Sequence, residues 1–112
     1  MSEFVRIVEV GPRDGLQNES KMLTVAQRVE LIKRLADCGH KTIEAGAFVS
    51  PKWVPQMADT ADVLASLPKF AGVNLPVLVP NARGMEDAIA AGAKEVAIFT
   101  AASDEFNLKN TN

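Results

Sequence analysis

The stretch Val8-Glu9-Val10-Gly11-Pro12-Arg13-Asp14-Gly15-Leu16-Gln17-Asn18-Glu19 joins an apolar alternating run to a charged turn, and that junction decides the fold. From Phe4 to Val10 apolar and polar residues alternate, with β-branched Val and Ile, which is the pattern of a half-buried strand. Gly11-Pro12 stops the run, because proline has no N–H to give a ladder. Arg13 and Asp14 come next, so a permanent cation and a carboxylate stand at the strand's C-terminal tip. In parallel α/β folds the chemistry is done at that end of the strands.

Outward from this junction, helices and strands alternate. Thr24 opens a helix: its hydroxyl can cap free backbone N–H groups, and Gln27 completes a capping-box pattern. Val25, Val29, Ile32 and Leu35, with Ala36, recur at helical spacing as a stripe for burial, and Gly39 is the stop. Lys41 to Ala45 reads as a short second strand. Phe48 to Pro55 is a loop with two prolines and the only tryptophan, Trp53. Met57 to Leu67 is a second helix, stopped by Pro68. Leu75 to Val79 is a third strand, closed by Pro80-Asn81, and Asn81 caps a third helix over residues 84–91. Glu95 to Phe99 is a fourth strand, and Ser103-Asp104 reads as the cap of a fourth helix that barely starts. The expected class is α/β: one partial (β/α) domain over residues 1–112, with four parallel strands, three intervening helices and right-handed crossovers.

Composition narrows the function. The 112 residues are 47% hydrophobic and 23% charged, so the chain should bury a core. The net charge is −2, with no basic stripe and no Tyr, which gives nucleic-acid binding no support. No apolar run approaches the ~18 residues of a membrane helix, so no membrane partner is expected. One cysteine cannot form an internal disulfide, and a reducing compartment is the default. Met1-Ser2-Glu3 leads into the first strand without an Arg-rich leader or signal core, so a cytoplasmic location is expected.

Parallel strands put their C-terminal tips on one face. Arg13, Asp14 and Gln17 follow strand one, Glu44 ends strand two, Asn81 follows strand three, and Thr100 and Ser103 follow strand four. Two carboxylates, a guanidinium and several amides would converge there. Such oxygens suit a hard divalent cation, Mg²⁺ or Mn²⁺, and an arginine beside one can stabilise an oxyanion. A plainer reading stays open: Arg-Asp in a turn can be an ion pair and no more, and Asp-Gly is ordinary turn chemistry. His40 precedes strand two and so lies at the far end, about 17–20 Å away for a typical strand, which makes it a surface or packing residue. Cys38, in the last turn of the first helix, is expected to be a small buried hydrophobe rather than a nucleophile. Trp53 is either packing or the wall of a ligand site. Lys52 and Lys69 are isolated loop lysines that mainly keep a surface soluble.

Three stretches in order, Val8 to Glu19, Phe48 to Met57 and Ala91 to Val96 leading into Phe99 through Ser103, resemble the 3-hydroxy-3-methylglutaryl-CoA lyase family. The resemblance implies the N-terminal half of a TIM (β/α)8 barrel. It implies a divalent-metal-dependent carbon–carbon lyase that splits an acyl-CoA, hydroxymethylglutaryl-CoA, into acetoacetate and acetyl-CoA in leucine degradation and ketone-body formation. By position Asp14 would bind the metal, Arg13 would stabilise the enolate, and Glu44 would support both. Arg13, Gln17 and Ser103 would meet the substrate. The family's other metal ligands, a His-x-His pair and an Asn, and its cysteine loop lie on later strands and are not in this sequence. Some members carry hydroxyl side chains where this chain has Ala45-Gly46-Ala47. The 112 residues alone are therefore expected to be inactive, and the full-length enzyme to be a homo-oligomer, a dimer. Two alternatives share the opening motif or the shape: a condensing enzyme of the isopropylmalate or homocitrate synthase type, and a non-catalytic half-barrel that oligomerises.

Overall fold

Two of the main helices begin where a side chain supplies a partner for their free N–H groups. In α1 (Val25–Asp37) the Gln27 N–H donates to Thr24 Oγ1 at 3.1 Å, and the Thr24 N–H donates to Gln27 Oε1 at 2.9 Å. The reciprocal pair satisfies two donors that the helix itself cannot. Gly39 follows at φ 99°, a backbone region that favours glycine. In α3 (Ala82–Ala90) the Gly84 N–H donates to Asn81 Oδ1 at 2.9 Å. The computed structural model describes residues 2–110, so the two ends of the expected 1–112 unit lie outside the described residues.

Between the helices run β1 (Gly46–Ala47), β2 (Val77–Leu78) and β3 (Val96–Ala97), in the order β1-β2-β3 with both pairings parallel. Gly46 pairs with Val77, and Val77 with Val96. Isolated parallel bridges extend the sheet, Thr42 to Asn74 and Glu9 to Ile43. Within the expected first strand, Phe4 to Val10, Glu9 makes this bridge while Phe4, Val5 and Ile7 are exposed. Among the described residues that segment has a neighbour on one side only, so little holds its outer residues in a ladder.

The second strand also departs from its expected span of Lys41 to Ala45. Thr42 pairs with Asn74 but Gly46 pairs with Val77, so four residues of one strand advance against three of the other. One extra residue is accommodated, which is a β-bulge, a feature that re-aims a strand and is common beside functional sites.

The core lies between sheet and helices. Ile32 of α1, Ile43 and Ala45, Val63 of α2 (Thr60–Ser66), Val77 and Ala88 of α3 form its buried cluster. Val25, Val29, Leu35 and Ala36, the rest of the expected α1 stripe, pack against it. The expected second helix over residues 57–67 divides into a single turn, Pro55–Met57, and α2, because Asp59 stands at φ 62° between them. Leu67 is extended, as a residue before proline must be. The fourth helix is fuller than expected. α4 (Asp104–Asn110) is held by a bond from the Phe106 N–H to Ser103 Oγ at 3.3 Å and by two bonds between Asn107 and Ala101.

Candidate active site

Gly11–Gly15 forms a short, wide helical turn that places the next side chains over the sheet tip. The Arg13 and Gly15 N–H groups both donate to Val10 O, at 3.1 and 3.2 Å, and Pro12 is buried beneath. Arg13 Nε then donates to Glu44 Oε1 at 2.5 Å, bridging the first turn to the end of the second strand. Its Nη1 lies 3.4 Å from Gln17 Oε1 and 3.5 Å from Asp14 Oδ1. Only 18% of the Arg13 side chain and 8% of the Glu44 side chain reach solvent. A charge-assisted bond this short, largely shielded from water, holds the guanidinium in one direction. Asp14 is different: about half of its side chain is open to solvent, and its carboxylate is free to take another partner.

These residues border a cleft of about 880 Å³. Arg13, Asp14 and Gln17 line one side, Ser50, Trp53 and Val54 another, and Pro80, Asn81 and Phe99 the tips of the later strands. Trp53 is 82% exposed, a large apolar ring beside a charged cluster. Arg13, Asp14, Gln17 and Glu44 are thus brought together, as the sequence reading expects. Ser103 is not among the lining residues; its hydroxyl caps α4. The sequence reading missed the contribution of α4, which adds Phe106, Leu108 and Lys109 to the wall. The apolar-to-basic run after the Ser103 cap was the available signal. His40 faces Glu9 at 3.9 Å. Cys38, expected to be buried, is exposed, because it closes α1 on the outer surface and not on the Ile32 stripe.

The donor set bears on a metal. No group of three or more His, Cys, Asp or Glu side chains gathers among the described residues. Asp14 offers one hard anionic oxygen open to the cleft. A Mg²⁺ ion commonly keeps several waters and takes only one or two carboxylates, so Asp14 fits one position of such a sphere.

Comparison with known proteins then places the chain. The HMGL-like family model matches residues 4–112. The chain belongs to the HMGL-like family. Mitochondrial hydroxymethylglutaryl-CoA lyase of Rattus norvegicus is 59% identical over 108 residues, covering 96% of this chain and 33% of that protein. The Arabidopsis thaliana mitochondrial lyase is 56% identical over 110 residues, covering 98% and 24%. The solved hydroxymethylglutaryl-CoA lyase of Pseudomonas aeruginosa superposes with TM-score 0.87 at 51% identity, over 94% of this chain and 35% of that one. An HMG-CoA lyase of Acinetobacter baumannii, solved with coenzyme A and 3-methylmalate, superposes with TM-score 0.90 at 36% identity, over 99% and 37%. The chain thus spans about a third of the length of the rat relative and of these solved lyases. Its parallel (β/α) order is that of the first units of their barrels. All four relatives are named lyases, which favours the lyase over the condensing alternative.

Proposed function

We propose that this chain forms the first third of a lyase that cleaves 3-hydroxy-3-methylglutaryl-CoA to acetoacetate and acetyl-CoA. The observation that carries the reading is the Arg13–Glu44 pair beside Asp14, on the rim of the strand-tip cleft of a chain 59% identical to a named lyase. In this reaction a general base takes the proton of the tertiary hydroxyl, and the ketone carbonyl of acetoacetate forms as the adjacent carbon–carbon bond breaks. The electron pair passes to the thioester oxygen as the enolate of the departing acetyl-CoA, which is then protonated on carbon. Arg13 is the cation for that oxygen. A fixed donor aimed at charge that appears only in the transition state lowers the barrier most, and Glu44 does the fixing. Gln17 limits the sideways swing of the guanidinium. The ring of Trp53 and the apolar wall of Val54, Pro80 and Phe99 shield the developing charge from water.

Asp14 would hold a Mg²⁺ or Mn²⁺ ion, which when bound acidifies the tertiary hydroxyl and polarises substrate oxygens. Ser103 is left out of the proposal, since its hydroxyl caps α4 and the residue does not line the cleft. A role in leucine breakdown, a dimeric full-length enzyme and a cytoplasmic location complete the reading. The single cysteine, a free exposed thiol, supports a reducing compartment.

The test is a chimera in which residues 1–112 replace the matching third of the Pseudomonas lyase. With Mg²⁺ or Mn²⁺ the chimera should release acetoacetate. Arg13→Gln should lower kcat about 10²–10³-fold, the scale of one lost oxyanion donor, with KM changed far less. A folded chimera without metal-dependent turnover would refute the proposal. A raised KM at unchanged kcat would remove Arg13 from the role given to it.

A further inference from the structure

The most deeply buried charged side chain among the described residues lies away from the cleft wall. Arg28 is 2% exposed and sits on the same stripe of α1 as Val25 and Ile32. Its Nη1 donates to Ala58 O and its Nη2 to Thr60 Oγ1 at 3.1 Å, while Nε has no partner among the described residues. Burial pushes its pKa down and Asp59 opposes that shift. An arginine still keeps its proton, so a full charge is held in the core. An aliphatic side chain of similar size would pack there without the desolvation cost, so the position asks for what a guanidinium alone does.

What it does is visible in the next contact. Thr60 Oγ1 lies 3.1 Å from Ala47 O and 2.8 Å from Met57 O. With one proton it donates to one of these at a time, while its lone pair accepts from Arg28. Ala47 is the last residue of β1, and Met57 closes the turn at the other end of the 48–57 loop. That loop carries Ser50, Trp53 and Val54 of the cleft wall. The arrangement is tight. A Cβ at Gly46, just after the bulge, would stand 2.8 Å from Thr60 Oγ1 and 3.0 Å from Arg28 Nη2. Gln56 Nε2 adds a separate tether to Glu19 O at 2.8 Å.

We propose that Arg28, acting through Thr60, is a positioning residue that grips both feet of the 48–57 loop and so sets where Trp53 stands in the cleft. The grip is a property of this chain; only its consequence for turnover rests on the lyase reading.

Trp53 is the only tryptophan and the chain has no tyrosine, so its emission reports this loop alone. Arg28→Met and Thr60→Val should lower the anisotropy of Trp53 and raise its quenching by acrylamide, at a temperature where circular dichroism matches the parent. Melting midpoints should fall by roughly 4–8 °C. Thr60→Ser, which keeps the hydroxyl, should restore the signal, and Arg28→Lys should restore it in part, because an ammonium lacks the planar fork. A lower midpoint with unchanged anisotropy and quenching would overturn the proposal, since a packing role alone gives that result. If Arg28→Met does not fold, the Thr60→Val and Thr60→Ser pair decides. A Thr60→Val loop signal that moves in this chain, while kcat and KM of the active chimera stay fixed under the same change, leaves the clamp standing and removes this loop from the lyase site.

Discussion

Arg13 and Glu44 come from segments thirty-one residues apart, yet they meet in one short bond. Removing one partner leaves the other shielded and unpaired, which costs more than the pair itself contributes. Glu44→Ala should therefore destabilise the chain by about 3 kcal/mol, measured by urea unfolding, whereas Asp14→Asn should cost under about 0.5 kcal/mol, as surface changes do. Equal losses from both variants would place Asp14 in the structural pair and out of the open ligand position. The cluster was legible because strand tips and turn residues identify themselves in a sequence. Ser103 was legible as a hydroxyl, but which donor it serves depends on whether α4 forms. Arg28 was not legible at all. A cation three and four residues from apolar neighbours looks like the edge of a stripe, and only the backbone carbonyl of Ala58 and the Thr60 hydroxyl explain its burial.

At the scale of elements, the caps carried most of the information. The Thr24–Gln27 box predicts that Thr24→Ala costs about 1 kcal/mol. In a domain of this size that is a drop of roughly 4–8 °C in melting midpoint. Further along α1, the bond from Arg34 holds the Glu30 carboxyl below its usual range, with the charge of Arg34 adding to it. A carboxyl depressed in the folded state stabilises above its unfolded pKa, and the gain disappears as pH falls through the folded value. Glu30→Gln should therefore lower the midpoint slightly at neutral pH and not at all in strong acid, and added salt should shrink the difference, since both groups are exposed. The bulge before Gly46 was hidden from the sequence for a physical reason. Register belongs to two segments together, and neither strand's own alternation reveals that one of them carries an extra residue.

The whole molecule presents a sheet whose outermost segments are paired on one side only among the described residues. Phe4, Val5 and Ile7 on the first segment, Ile98 after β3, and Phe106 and Leu108 on α4 are large apolar side chains left in water. An exposed apolar surface of this kind is an association surface, and a strand paired on one side templates another. In the related lyases about two thirds of the chain lies beyond the matched region. The 112-residue chain on its own should therefore sediment as species heavier than its 12.0 kDa mass, and the population should shift toward monomer when urea is added below the unfolding transition. The same chain should give no acetoacetate from hydroxymethylglutaryl-CoA with Mg²⁺ or Mn²⁺, because Asp14 supplies a single carboxylate and no cluster of three ligands forms among the described residues. The two expectations have a common cause and separate readouts. A monodisperse 12.0 kDa species would mean that the open sheet is stable in water, against the first. Turnover by that species would mean that Arg13, Glu44 and Asp14 suffice without further ligands, against the second. If instead the chimera regains both solubility and turnover, the exposed strands and the incomplete ligand set are two views of one fact: the remaining units of the barrel cover the sheet and complete the site together.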